Sequence, residues 1–176
     1  LTIMMKVKLN KFNNKNWQWL FSNGNYQAKG TGYALGIWKR KLVGHIGSDM
    51  SKRKYISVYG PNLKTKKWYH IAMTYKPRKY IKLFVNGRKV AAVTKSVPSR
   101  IPYENLEKFV IGRFSSTGVG YLSGWVDDIH VFNKALDSSE IKDVMINSNI
   151  DEDNDGFDNI YEQFVAGTNP SNAEKK

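Results

Sequence analysis

The segment Asp151-Glu152-Asp153-Asn154-Asp155-Gly156-Phe157-Asp158-Asn159-Ile160-Tyr161-Glu162 carries the most specific chemistry in the chain. Carboxylates stand at positions 1, 3 and 5 of a twelve-position stretch, glycine at 6 and glutamate at 12, which is calcium-loop spacing. Alternate side chains converge on one point, and Gly156 permits the sharp turn. The Phe157 carbonyl falls at position 7, and Glu162 can close the coordination sphere with two oxygens. Asp151, Asp153, Asp155, Phe157 and Glu162 are therefore expected to hold Ca2+.

A second set of residues could do recognition chemistry. Trp38, His45, Arg53, Tyr55, Tyr59 and His70 are expected on solvent-facing sides of strands or in their turns. Sugar faces stack on aromatic rings, while sulfate and carboxylate groups pair with arginine and lysine. Catalytic constellations are missing by contrast. Residues 1–100 contain 22 Lys and Arg and a single acid, Asp49, so no carboxylate pair for glycoside hydrolysis can come from that part. Asp127 and Asp128 are adjacent, which puts them on opposite sides of a regular strand. There is no cysteine, HExxH, phosphate loop or nucleophile elbow. The three histidines, His45, His70 and His130, could share one outer face. A lone sheet histidine is more often a hydrogen-bonder than a ligand, but a lyase built from His, Tyr and Arg stays open as an alternative.

Charge narrows the partner. The 176 residues carry a net charge of +13, and the 22 basic residues of the first hundred give that part a strong positive field. Residues 101–176 reverse the balance, with 6 basic and 14 acidic side chains. Lysines on strand edges also block edge-to-edge pairing, so solubility alone is one reading. A polyanion is the other, and no helix or RNA-binding signature accompanies the basic residues to favour nucleic acid. The length suffices for one good core, and no apolar run reaches the ~18 residues that a membrane-spanning helix needs. Leu1-Thr2-Ile3 reads as the inside of a longer secreted chain, with a signal peptide expected upstream.

The elements that must position these residues are short strands. Leu1–Leu9, Trp17–Ser22, Tyr33–Trp38, Leu42–Ile46, Tyr55–Tyr59, Trp68–Tyr75, Tyr80–Val85 and Lys89–Val93 show period-two patterning or β-rich composition, separated by turn signals. Asn86-Gly87 is the dipeptide of a tight hairpin, so Trp68–Val93 is expected to form an antiparallel meander, half buried and half wet. If Leu35, Ile37, Leu42, Ile46, Ile56, Val58, Ile71 and Met73 point inward, then Trp38, His45, Tyr55, Tyr59 and His70 point outward. Strands at this spacing predict an all-β antiparallel sandwich.

Particular stretches also carry a family resemblance. Trp68, His70, Ile71, Met73, Tyr75, Leu83, Val85 and Gly87 resemble the central hairpins of laminin-G-like, concanavalin A-like jelly-roll domains. Phe109–Arg113 resembles their Ile-Gly-Arg strand, and Arg113 joins the candidate ligand-binding residues on that footing. Gly124–Leu136 is similar to their closing strand in nearly every position. The resemblance implies a short helix next, for which Asp137-Ser138-Ser139-Glu140 supplies a capping box. It also implies a structural calcium near Asp127. The tail, ending Gly167-Thr168-Asn169-Pro170, resembles the bacterial thrombospondin type 3-like repeat. In that repeat a ligand follows the glycine by three, here Asn159.

The combined expectation is a laminin-G-like jelly-roll sandwich over residues 1–147 with a short C-terminal helix, followed by a calcium-binding extension over 148–176. Its expected role is a non-catalytic module that binds an anionic polysaccharide, sulfated or uronate-rich. Such a module would be joined to a catalytic domain in a larger bacterial enzyme that is secreted or held at the cell surface. The alternatives are an adhesion or structural interaction domain and, further off, a lyase or hydrolase.

Overall fold

The computed structural model describes residues 1–13, 15–25, 29–103, 108–115 and 119–147. The expected calcium loop, and all of residues 148–176, lie outside them. Among the described residues the strands are β1 Thr2–Leu9, β2 Gln18–Asn23, β3 Tyr33–Trp38, β4 Lys41–Asp49 and β5 Lys54–Asn62. They continue with β6 Trp68–Lys76, β7 Tyr80–Val85, β8 Arg88–Val93, β9 Phe109–Ile111 and β10 Gly124–Phe132, and helix α1 Ser138–Asn147 follows. Two five-stranded sheets result, with orders β10-β1-β6-β7-β8 and β5-β4-β3-β2-β9, every pairing antiparallel. This is the expected sandwich.

The core lies between the sheets. Ile3, Met5, Val7 and Leu9 of β1, with Ile71, Met73, Ile81 and Leu83, face Leu35, Ile37, Leu42, Ile46 and Val58. Each large apolar side chain removed from water contributes roughly 1.5–3 kcal/mol before conformational entropy is subtracted. The sheets approach closely at Gly44, where an added Cβ would meet the Met73 sulfur at 2.6 Å.

Two hairpins turn through a pair of left-handed residues. Asn86 and Gly87 have φ of 50° and 71°, as their sequence predicts, whereas the β3–β4 turn places Lys39 and Arg40 at 45° and 73°. A left-handed lysine–arginine pair is costly for side chains bearing a Cβ.

The expectation of a half-wet meander fails for β6, whose residues Tyr69–Tyr75 are all buried. Its outer side is covered because α1 lies on it, packing Ile141 and Val144 with Met4, Ala72, Phe84 and Phe132. The helix begins with a reciprocal cap. The Asp137 carboxylate accepts the Ser139 and Glu140 backbone N–H groups at 2.9 and 3.1 Å, while the Asp137 N–H donates to Glu140 Oε2 at 2.8 Å.

Register shifts break strict alternation in several ladders, and two of them decide where residues of interest face. Between Trp19 and Phe21 the register shifts, so Leu20 and Phe21 both enter the core while Trp19 stays on the outer face. A second shift faces β1 Met4–Lys6, and there Asp128 of β10 adopts φ 47°. Asp127 and Asp128 therefore do not sit on a regular strand, and Asp128 forms an ion pair with Lys6.

Candidate functional site

The outer face of the second sheet gathers aromatic rings into a row. Trp17 stacks on Trp38 at 5.1 Å between centroids and on Trp19 at 4.7 Å, and Trp19 meets Phe114 at 5.0 Å. The row can lie flat because β3 carries Ala34 and Gly36 beneath it. An added Cβ on Gly36 would come within 2.7 Å of Trp19 Cε3. On the other side, the carbonyl of Gly120, at φ 70°, accepts the Trp19 N–H at 2.8 Å, and a Cβ there would meet Trp19 Cδ1 at 2.5 Å. Trp19 is thus fixed and buried, while Trp17 and Trp38 at the other end stay half exposed.

His45 sits under this row. Trp17 meets its ring edge-on at 5.1 Å, Trp19 lies at 5.8 Å, and its Nδ1 is 2.8 Å from Ser57 Oγ. Only 2% of the residue is exposed, and burial pushes the imidazole down to about 3, so it is neutral. His45 is a support for the rings and not a surface donor. Tyr55, 42% exposed, continues the face from His45 at 5.7 Å, and Tyr59, 59% exposed, lies further along β5 opposite Val43.

Tyr55 also forms a corner. It lines a cavity of ≈ 580 Å³ with Arg53, Lys54, Ser96 and Pro98, and a second cavity of ≈ 510 Å³, lined partly by Arg100, shares Ser48, Asp49 and Pro98 with the first. The acid in this region is already engaged. Asp49 accepts the Ser51 hydroxyl at 2.7 Å and the Lys52 N–H at 3.2 Å, and the Ser51 bond foremost holds its carboxyl below the ordinary range. Cations thus outnumber the one internally bonded acid around a half-open volume.

Trp38, His45, Tyr55, Tyr59 and Arg53 are accordingly brought to one face and its edge. Arg113 lies at the far end, half-buried, its guanidinium donating to the Phe114 carbonyl at 3.2 Å. His70 is not on this face. It belongs to β6 of the first sheet, in register with Lys6, so the three histidines divide between two sheets. Period two ranks the faces of one strand but does not say which sheet the strand joins. The pair Trp17 and Trp19, which anchors the row, went unassigned in the sequence. Two tryptophans at spacing two were the signal that pointed to it. Asp127 is exposed and accepts the Asp128 N–H at 2.9 Å. No group of three or more His, Asp or Glu side chains placed to hold a metal gathers among the described residues.

A family model described as the concanavalin A-like lectin/glucanases superfamily matches residues 1–142, and the chain belongs to that superfamily. No curated protein matches it. Solved structures share the fold at low identity. The Ruminococcus gnavus IT-sialidase CBM40 bound to α2,3-sialyllactose has a TM-score of 0.64 and 19% identity over 82% of this chain and 80% of that one. A protein described as carbohydrate-binding from Bacteroides ovatus has a TM-score of 0.59 and 19% identity, covering 80% of this chain and 39% of its own. The binding domain of botulinum neurotoxin serotype G has a TM-score of 0.62 and 18% identity over 86% of this chain and 37% of that one.

Proposed function

We propose that the chain is a non-catalytic carbohydrate-binding module that takes an anionic polysaccharide, sulfated or uronate-rich, on the outer face of its second sheet. The observation that carries this reading is the β3–β4 turn. Lys39 and Arg40 occupy left-handed backbone that Asn-Gly fills at the corresponding β7–β8 turn, and they do so beside the half-exposed Trp38, with Lys39 Nζ 5.6 Å from its ring. Backbone strain retained next to an open indole points to the side chains it presents. Trp38 and Trp17 offer apolar ring area to a pyranose, Lys39 and Arg40 offer charge to its acid group, and Tyr55 leads toward Arg53 and Arg100. Likeness to a module bound to sialyllactose, an acidic oligosaccharide, supports the same ligand class.

The module serves within a larger secreted bacterial enzyme that degrades polysaccharides, and Asp151, Asp153, Asp155, Phe157, Asn159 and Glu162 hold Ca2+ as a spacer. An all-oxygen donor set of this spacing suits a hard cation. Asp127 has no comparable company among the described residues. The test is affinity electrophoresis of Trp38→Ala and Arg53→Ala in gels containing polygalacturonate or dextran sulfate. Each substitution is expected to weaken retardation several-fold with unfolding transitions unchanged. Wild-type retardation in both variants overturns the site.

A further inference from the structure

The first sheet carries a cluster on its own outer face that the proposed site does not use. Lys8 of β1 is in register with Trp68 of β6 on one side and Trp125 of β10 on the other. Its ammonium stands 5.1 Å from the Trp68 ring centroid and 4.6 Å from that of Trp125. Trp68 and Trp125 are 44% and 50% exposed, so the two flank Lys8 as a paired, accessible aromatic surface. α1 covers the neighbouring Met4, Ala72 and Phe84 but not these rings.

Two acids of β10 lie near this cluster, and the exposed Asp127 carboxylate accepts the Asp128 N–H. The nearby acid Asp128 is taken up by Lys6, one pleat along β1, and Lys8 makes no ion pair among the described residues. The two rings instead hold the ammonium between them, partly desolvated and fixed in direction. An anion meeting Lys8 there gains more than it would at a freely moving surface lysine, because little side-chain freedom remains to be lost.

We propose that Trp68, Lys8 and Trp125 form a second saccharide-binding site, on the opposite side of the sandwich, for an acidic sugar chain. Trp68 and Trp125 lie two strand spacings apart, about 10 Å, so each can stack a different ring of one extended polymer while Lys8 pairs with a carboxylate or sulfate between them. Both indoles belong to strands of one sheet, on either side of β1, with a cation between them. That shape suits a flat polar polymer and not the acyl region of a bilayer, which takes protruding apolar tips. The site shares its ligand chemistry with the proposed function but none of its residues. With both faces engaged, the domain bridges two chains of the same polysaccharide.

The test is a ¹⁵N–¹H titration of the indole N–H signals of the full chain, assigned by single Trp→Phe variants, with tri-galacturonate and with a sulfated disaccharide. Trp68 and Trp125 signals are expected to move together with one saturation curve in at least one titration. Lys8→Gln should weaken that curve about tenfold while the Trp17 and Trp38 signals respond as before. Movement confined to Trp17 and Trp38 overturns the second site and leaves the first standing. Movement confined to Trp68 and Trp125 does the reverse. Stationary Trp68 and Trp125 signals that shift instead with phosphatidylglycerol vesicles overturn the saccharide proposal.

Discussion

Trp19 lies against Gly36 so closely that a single added carbon on the glycine would sit 2.7 Å from the indole. The same indole is stacked on Trp17, and Trp17 on Trp38, so the position of the half-exposed rings depends on a residue with no side chain.

Gly36→Ala therefore reaches the site without touching ligand. The alanine methyl has to push Trp19 off the sheet, and Gly120 on its other side leaves little room for it to move. Overpacking of this kind costs about 1–3 kcal/mol. Urea unfolding should show that loss, and affinity electrophoresis should show weakened glycan retardation in the fraction that remains folded.

Replacing Lys39 and Arg40 with Asn and Gly separates stability from binding. The new pair adopts positive φ without strain, so the domain should gain about 0.5–1 kcal/mol. Retardation by anionic polymer should fall at the same time. A more stable variant that binds as before would assign the turn's charges no part in recognition.

Acid should destabilise the sandwich through two histidines. Burial foremost pushes His45 down to about 3 and His70 down to about 4, while both titrate near 6.5 in the unfolded chain. The unfolded state thus binds protons that the folded state refuses. The stability contributed by keeping them neutral is complete above pH 6.5 and is lost as pH falls through 5 toward 4 and 3, with a limiting slope of about 1.4 kcal/mol per pH unit for each group. Melting temperatures measured from pH 7.5 to 5 should fall, and His45→Gln should flatten part of the decline. A level profile would mean both rings protonate freely in the fold.

Much of this architecture is legible in the chain because local rules and global packing agree. Asn86-Gly87 makes its tight turn, Asp137 and Glu140 cap α1, and inward Leu35, Ile37, Leu42 and Ile46 form the core with their outward neighbours on the other face. Sheet membership is not legible in the same way. His45 and His70 carry the same outward signal, and the long-range pairing of β6 with β1, away from the β3–β4 hairpin, sends them to opposite sides. Bulges hide faces as well. The extra residue near Leu20 breaks the parity that links Trp19 to Phe21, and the one at Asp128 undoes the opposed-faces argument for the two aspartates. Burial of β6 on both sides depends on where α1 lands, a packing fact that strand periodicity does not contain.

Calcium should act on the C-terminal extension and not on sugar binding. Asp153→Ala removes a carboxylate from position 3 of the loop, so calorimetric Ca2+ binding should weaken at least tenfold. Glycan retardation in calcium and in chelator should match for the wild-type chain. Loss of retardation with chelator would make the loop part of the recognition surface.

Affinity electrophoresis against neutral, uronate-rich and sulfated polysaccharides, at low and high salt, tests glycan recognition itself. Retardation by one acidic polymer that survives moderate salt, and that Trp38→Ala reduces, is the predicted result. Screening removes contacts beyond about 8–10 Å. Retardation by every polyanion that vanishes with salt, or none at all, would contradict a shaped glycan site on the second sheet.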